Sequence, residues 1–151
     1  MPHLRPRGRP SRIHPEKEEQ GETMSDENGT TTIWQYNHNR YRRHKLMTKE
    51  LADTIPPLYE NEDVEDYDAV VARVKLFSPY NGWRWYVTEW EAETGLCFGL
   101  VEGFVTELGY FDLTELAEAT VFGKVPAVER DLYWEPKTLG EIKRESSRKA
   151  A

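Results

Sequence analysis

One predicted strand with large aromatic side chains on both faces constrains the fold of this chain more than any other feature. Its first residues alternate in character and are Trp83, Arg84, Trp85 and Tyr86. A period of two, in residue types that fit a pleated surface, predicts a β-strand. On this alternation Trp90 shares a face with Tyr86, opposite Trp83 and Trp85. We expect one aromatic face to pack against helices, which leaves the other as a candidate binding surface.

Turn signals on both sides extend this strand into a meander. Asn81-Gly82 precedes it and tolerates the positive φ angles of a tight hairpin turn. Glu93-Thr94-Gly95 follows it and reverses the chain again. Gly103 interrupts the next alternating run and indicates a bulge or bend. The predicted strands are Val70–Phe77, Trp83–Trp90, Leu96–Val101 and Phe104–Phe111.

Capping signals predict short helices around this meander. Asp112 with Glu115 and Thr138 with Glu141 are capping boxes, so we expect helices over residues 113–119 and 139–146. Thr48 caps a further short helix, which Pro56-Pro57 ends. Residues 129–135 add an edge strand with Leu132 and Trp134 facing the core. The expected fold is α+β: an antiparallel sheet of four to five strands in a meander, with two or three short helices packed on one face.

Charge divides the chain into two parts. Residues 1–45 carry a net charge of +3, whereas residues 46–151 carry 21 acidic and 11 basic residues, a net of −10. No apolar periodicity occurs before Ile33, so we predict a disordered basic N-terminal extension over residues 1–45. A single domain should follow over residues 46–146, and residues 147–151 should form a frayed tail.

Histidine and cysteine chemistry is excluded from the predicted domain. All four histidines precede residue 46, and Cys97 is the single cysteine. Nucleophile–histidine pairs and zinc sites built from histidine or thiolate ligands therefore cannot form there. No phosphate-binding glycine motif occurs, so no catalytic residue, metal or cofactor is predicted. The lone cysteine and the short apolar runs predict a cytoplasmic protein without a membrane span.

Carboxylates and aromatic rings remain as candidate binding groups. If Glu89 and Glu102 are cross-strand neighbours, they could bind Mg²⁺ or act as an acid–base pair. Alternatively, these carboxylates project into solvent or pair with nearby arginine and lysine side chains. The candidate binding residues are Trp83, Trp85, Tyr86, Trp90, Glu89, Glu102 and Glu107.

Three functional hypotheses follow. The first is a non-catalytic module that binds another protein, in one variant by imitating nucleic acid with its acidic surface. The second is a carboxylate- or metal-dependent enzyme. The third is nucleic-acid contact through residues 34–45, although these aromatic side chains could instead dock on the domain. The domain itself should repel phosphate because of its net charge. The residues proposed for the third hypothesis are Trp34, Tyr36, Arg40, Tyr41, Arg42 and Arg43.

Ordered motifs give the domain a family resemblance. They are LMT (46–48), IPPLYENE (55–62), VVARVKLFSP (70–79), WRWYVTEWE (83–91), FGLVEGFVTELGYFDLTEL (98–116) and ERDLYWEPKTLGEI (129–142). Together they resemble the domain of unknown function 2958 family. The resemblance implies a small bacterial or phage protein, often encoded on plasmids and other mobile elements. It implies no activity, so it assigns no role to any residue.

Overall fold

The structure is a computed structural model that describes residues 36–37, 41–42 and 44–150. A short 3-10 helix covers Tyr67–Ala69. The other elements are α1 (Lys49–Ala52), β1 (Val71–Ala72), β2 (Val74–Phe77), β3 (Arg84–Glu91), β4 (Leu96–Glu102), β5 (Thr106–Asp112), α2 (Leu113–Glu118), β6 (Thr120–Val121), β7 (Val125–Pro126), β8 (Glu129–Arg130), β9 (Lys137–Thr138) and α3 (Leu139–Ala150). None of the helices in this part of the chain is long and apolar enough to span a membrane.

The centre of the fold is a five-stranded antiparallel sheet in the order β5-β4-β3-β2-β8. This arrangement confirms the predicted α+β meander with an added edge strand. The first predicted strand, residues 70–77, divides at Arg73. Its first part, β1, pairs with β9 in a separate ladder, and its second part, β2, pairs with β3. Residues 70–77 therefore pair with two different strands. The uninterrupted alternation of their side chains does not predict this division.

A β-bulge in β3 changes which side chains reach each face. The register with β4 pairs Val87 with Gly99 but Glu89 with Phe98, so Thr88 is an extra residue. Gly99 is required opposite the bulge, because a Cβ there would overlap the Tyr86 carbonyl oxygen. After the bulge, each side chain of β3 lies on the face opposite to the one that strict alternation predicts.

Two core clusters lie on opposite faces of the sheet. The first core cluster comprises Tyr36, Leu46, Met47, Ile55, Val74, Leu76, Trp85, Val87, Trp90, Cys97, Leu113, Ala117 and Val128. The second comprises Leu58, Tyr59, Val70, Ala72, Tyr86, Phe98, Leu100, Leu108, Leu139 and Ile142. Trp90 thus joins Trp85 rather than Tyr86, and its predicted face was wrong because the sequence does not show the bulge.

The helices pack on both faces, not on one face as predicted. Residues of α1 and α2 contact the first core cluster, whereas α3 contributes Leu139 and Ile142 to the second. Both faces of β3 are therefore covered. Cys97 is fully buried, as expected for a small apolar side chain, and burial raises the pKa of its thiol.

The predicted N-cap residues begin the helices, although at α2 only the Asp112 half of the predicted capping box with Glu115 is observed. The Thr48 hydroxyl accepts a hydrogen bond from the Leu51 N–H at 3.1 Å, and the Asp112 carboxylate accepts one from the Thr114 N–H at 2.8 Å. At α3, Thr138 and Glu141 exchange backbone-to-side-chain hydrogen bonds of 2.9 and 3.2 Å. The hydrogen bonds that the Glu141 carboxylate accepts from the Thr138 N–H and hydroxyl lower its pKa. The helix α3 continues to Ala150 rather than ending near residue 146, and so includes most of the predicted tail.

Candidate functional site

The aromatic side chains predicted to form a binding face are mostly core residues. Trp85, Tyr86 and Trp90 are buried, with at most 8% of their surface exposed. Trp83 is half-buried, and its ring packs edge-on against the exposed Phe104 at 5.2 Å between centroids. Of the four predicted aromatic site residues, Trp83 alone retains a substantial exposed surface. The strand that suggested a binding face is instead held between two packed layers.

The predicted carboxylates do not converge. Glu89 lies opposite Phe98, Glu102 lies opposite Arg84, and Glu107 is exposed on β5. The cross-strand pair of Glu89 and Glu102 that would suit Mg²⁺ or acid–base chemistry is therefore not formed. Within residues 36–37, 41–42 and 44–150, no group of three or more histidine, cysteine, aspartate or glutamate side chains is arranged to hold a metal ion.

Glu89 is a fully buried carboxylate with a structural role. It accepts hydrogen bonds from the backbone N–H groups of Tyr59 and Asn61, at 2.8 and 2.9 Å. These contacts attach the start of the acidic loop, residues 60–68, to the centre of the sheet. Most of that loop is exposed, as expected for a solvated charged segment, and Asp68 pairs with Lys143 of α3 at 2.8 Å.

Glu102 joins the end of β4 to α3. One of its oxygens lies 2.8 Å from Arg84 Nε, and the other accepts a hydrogen bond of 2.6 Å from the Ser146 hydroxyl. The Tyr86 hydroxyl also donates to Glu102 at 3.4 Å. Burial, reinforced by the charge of Glu102, raises the pKa of Tyr86. Both carboxylate oxygens of Glu102 thus have partners within the fold. The contact with Arg84 confirms the alternative prediction, in which these carboxylates pair with nearby arginine and lysine side chains.

Residues 36 and 42 belong to the folded domain. The Tyr36 ring is 1% exposed and lies 5.7 Å from the Trp90 ring, and its hydroxyl donates to the Ala92 carbonyl at 2.9 Å. The Arg42 side chain is also buried and donates to the carbonyls of Ala117 and Val128, at 3.3 and 3.2 Å. Its guanidinium thereby joins the last turn of α2 to the residue before β8, and burial lowers its pKa.

These contacts argue against both predictions made for residues 34–45, disorder and contact with nucleic acid, at Tyr36 and Arg42. The disorder predicted over residues 1–45 does not hold at Tyr36 and Arg42, which dock on the domain because long-range carbonyl groups and the Trp90 ring receive them. Neither side chain is available to stack on nucleic acid. Trp34, Arg40 and Arg43 lie outside the residues that the structure describes.

Several exposed aromatic side chains lie elsewhere, beside the edge strand β8. A groove of about 550 Å³, the aromatic groove, is open to solvent there. Tyr133 is 94% exposed and Tyr80 is 52% exposed. The lining residues are Tyr41, His44, Phe77, Tyr80, Val125, Pro126, Glu129, Arg130, Asp131, Leu132 and Tyr133.

A local turn explains why the sequence did not predict this groove. The Asp131 carboxylate accepts a hydrogen bond of 3.0 Å from the Tyr133 N–H, which turns the chain away from the sheet just after β8. Leu132 is consequently exposed, and its predicted core position was wrong. Trp134 does pack inward, with its ring 5.8 Å from that of Tyr86. Asp131 was the available signal for this turn, because aspartate often accepts a hydrogen bond from the backbone N–H two residues later.

Charged groups of both signs surround the groove. Glu129 Oε1 is buried and accepts no hydrogen bond within the described part of the chain; the Arg42 Nε atom lies 3.9 Å from it. Burial raises the pKa of Glu129, while Arg42 and His44 oppose that shift. Asp131 pairs with Lys75 at 3.3 Å, and Arg130 Nε donates to the Lys45 carbonyl at 2.9 Å. The groove thus combines aromatic walls with an incompletely satisfied carboxylate.

Comparison with known proteins assigns the domain to a family. The model described as "Protein of unknown function (DUF2958)" matches residues 46–146. The chain belongs to the DUF2958 family. No curated protein sequence matches the chain, and no solved structure matches it. The match covers the whole sheet and α1 and α2, and it includes the lining residues of the aromatic groove from Phe77 onward.

Proposed function

We propose that this DUF2958 protein is a non-catalytic protein-binding module that holds a segment of its partner in the aromatic groove. The observation that carries the proposal is the cluster of exposed tyrosine and leucine side chains around one concave surface. Large apolar groups gathered at one exposed place are typical of surfaces that bind partners. Tyrosine is favoured there because its ring contributes apolar contact while its hydroxyl stays solvated.

The size and shape of the groove suit a short protein segment. Its volume of about 550 Å³ can receive one or two side chains together with their backbone. It lies along β8, so an extended segment would run beside a sheet edge, as in many peptide complexes. Tyr80 and Tyr133 both line it with exposed rings that can contact an apolar side chain.

The chemistry of the groove favours a basic partner. Glu129 Oε1 accepts no hydrogen bond from the described residues and lies 3.9 Å from Arg42 Nε, so an arginine or lysine side chain of a partner would add a donor and a second positive charge to this ion pair. The net charge of −10 over residues 46–151 would also attract a basic protein over long range. The excess of acidic residues supports a narrower form of the proposal. In this form the partner is a nucleic-acid-binding protein, and the acidic domain imitates the nucleic acid.

Selection of peptides from a random displayed library tests the proposal. We expect the selected peptides to carry an aromatic or aliphatic residue next to arginine or lysine, and their affinity to fall as salt concentration rises. Tyr133→Ala should weaken binding by about 30-fold, as expected for a central aromatic contact. Phe122→Ala removes an equally exposed ring outside the groove and should leave the affinity unchanged. Equal affinities for the two variants would exclude the groove as the binding site.

A further inference from the structure

The sequence near the N-terminus combines proline with arginine and has no acidic residue. Residues 2–15, the proline–arginine segment, read PHLRPRGRPSRIHP and contain four arginines and four prolines. The next stretch differs, because residues 16–35 contain six acidic residues and one lysine. Both stretches lie outside the residues that the structure describes. The positive charge that precedes residue 36 is therefore concentrated in one short segment.

The aromatic groove has the chemistry that receives such a segment. Proline favours an extended polyproline conformation, and proteins that bind such segments use grooves lined by aromatic rings. Tyr80 and Tyr133 line the aromatic groove with exposed rings. Glu129 and Asp131 line it with carboxylates, and Glu129 Oε1 accepts no hydrogen bond from the described residues. Rings beside carboxylates match a sequence in which proline stands next to arginine.

We propose that the proline–arginine segment occupies the aromatic groove of its own chain and competes there with the partner. This regulation rests on the proposed function, because it assigns the segment and the partner to the same groove. Pro6 would contact the exposed tyrosine rings, and a neighbouring arginine would add a positive charge at Glu129. Arg5 and Arg7 flank Pro6, so one guanidinium follows the proline ring in either chain direction.

The connection to the folded domain is long enough for this contact. Twenty residues, 16–35, separate Pro15 from Tyr36, whose ring packs against Trp90 in the first core cluster. A chain of this length spans at most roughly 70 Å when fully extended. A compact domain of about 100 residues is only roughly 35 Å across, as its radius of gyration implies. The groove is therefore within reach of the segment.

Charge separates the proline–arginine segment from the stretch that connects it to the domain. Residues 46–151 carry a net charge of −10, which attracts the four arginines and repels the acidic residues of 16–35. The acidic loop, residues 60–68, also attracts arginine, but charge alone provides no contact for a proline ring. The aromatic groove brings apolar rings and carboxylates together at one place. This combination favours the groove over the acidic loop.

The tether would make the segment an inhibitor of moderate strength. A short linker gives its two ends an effective concentration on the order of 1 mM. A segment with a Kd of about 0.1 mM would then occupy the groove in about nine of ten molecules and weaken a competing ligand about tenfold. A partner that binds more tightly than the segment would displace it. Binding in the groove is thus reserved for ligands that exceed this threshold.

Paramagnetic relaxation in the full chain tests where the segment lies. Ser11→Cys provides a site for a nitroxide label next to Pro10, while Cys97 is buried. We expect the label to broaden the backbone N–H signals of Leu132 and Tyr133 more strongly than those of the acidic loop. The broadening should not change on dilution, because the contact forms within one chain. Equal broadening at the two places, or its loss on dilution, would overturn the proposal.

Competition with a synthetic peptide of residues 2–15 tests the occupancy. Arg5→Glu combined with Arg7→Glu weakens the resident segment, so this variant should bind the labelled peptide about tenfold more tightly than the wild type does. Arg148→Glu combined with Lys149→Glu makes the same change of charge at the exposed end of α3 and should leave the affinity unchanged. Fluorescence anisotropy measures all three affinities at one salt concentration.

The outcomes separate this proposal from the proposed function. Equal affinity of the peptide for all three chains, or no binding to any of them, would overturn the occupancy of the groove by the segment. Peptides selected from the random library could still bind in a manner that depends on Tyr133, and the proposed function would then stand. The proposed function fails separately, when no selected peptide is weakened by Tyr133→Ala.

Discussion

The aromatic residues of β3 and those of the aromatic groove are similar in type and differ in environment. In β3, the rings of Trp85, Tyr86 and Trp90 are enclosed by helices and loops on both faces. Beside β8, Tyr80 and Tyr133 extend into solvent around a concave surface. The rings of β3 lie on a strand, whereas Tyr80 and Tyr133 lie in turns. The layers packed over each region decide which of these rings are exposed.

The largest expected contrast is between one ring from each region. Trp90→Ala should lower the free energy of unfolding by about 3–5 kcal/mol, because it opens a cavity beside Tyr36 in the first core cluster. Tyr133→Ala should change it by less than about 0.5 kcal/mol, because the side chain is exposed. Urea unfolding followed by circular dichroism measures both values. Similar losses for the two variants would contradict the division into core and surface rings.

Two glycines extend the contrast to the backbone. Gly99→Ala should cost about 3 kcal/mol or more, since its Cβ would overlap the Tyr86 carbonyl oxygen at the bulge. Gly109→Ala meets open space and should change the free energy of unfolding by less than about 1 kcal/mol. Thermal unfolding of both variants at one protein concentration gives the comparison. A stable Gly99→Ala variant would show that the bulge is not held by this close approach.

Carboxylates offer a third and smaller contrast. Glu89→Gln should cost about 1.5–3 kcal/mol, because its new amide group would face the backbone N–H of either Tyr59 or Asn61. Glu107→Gln changes an exposed side chain and should stay within about 0.5 kcal/mol of the wild type. Hydrogen exchange at Tyr59 and Asn61 should accelerate in the first variant alone. Unchanged protection at both amides would contradict the role given to Glu89.

The smallest expected effect is the pH dependence of Glu129. Its pKa in the folded protein lies above the ordinary value of 4.5 because burial disfavours the charged form. The folded state therefore holds this proton more tightly than the unfolded state does. Its contribution to stability is fully present below the ordinary pKa and is lost as pH rises through the raised pKa. Glu129→Gln should flatten this part of the stability profile, and Glu107→Gln should not.

Binding of a basic peptide should show the opposite sign. A bound arginine or lysine favours the charged carboxylate, so affinity should rise as pH increases through the pKa of Glu129. The Glu129→Gln variant should bind more weakly and lose this dependence. Calorimetric titration at several pH values measures both effects. An identical pH dependence in wild type and variant would exclude Glu129 as the carboxylate that recognises the partner.

Local chemistry predicted much of the fold from the sequence. The hydrogen bonds at Thr48, Asp112 and Thr138 involve atoms a few residues apart, so their spacing in the sequence was sufficient to place the helix starts. The meander followed in the same way from alternating runs and turn residues. The family match over residues 46–146 confirms the resemblance seen in these motifs.

Features that depend on distant contacts were not predictable. The bulge at Thr88 exists because Gly99 of the next strand admits the Tyr86 carbonyl, so the alternation around Trp90 was misread. Leu132 was misplaced for a different reason, because a local turn at Asp131 moves it from the expected core into the aromatic groove. The groove itself gathers residues from four separate parts of the chain. No pattern within a single segment reports such an assembly.

The contacts of Tyr36 and Arg42 also bear on the order of folding. Tyr36 bonds to a residue 56 positions later, and Arg42 bonds to one 86 positions later. On the ribosome, these two residues emerge well before Ala92 and Val128 are synthesised. Neither side chain can dock before the residue that it contacts has been made, and closing such long loops costs entropy that the docking contacts must offset. We therefore expect these two residues to dock late in the folding of the chain.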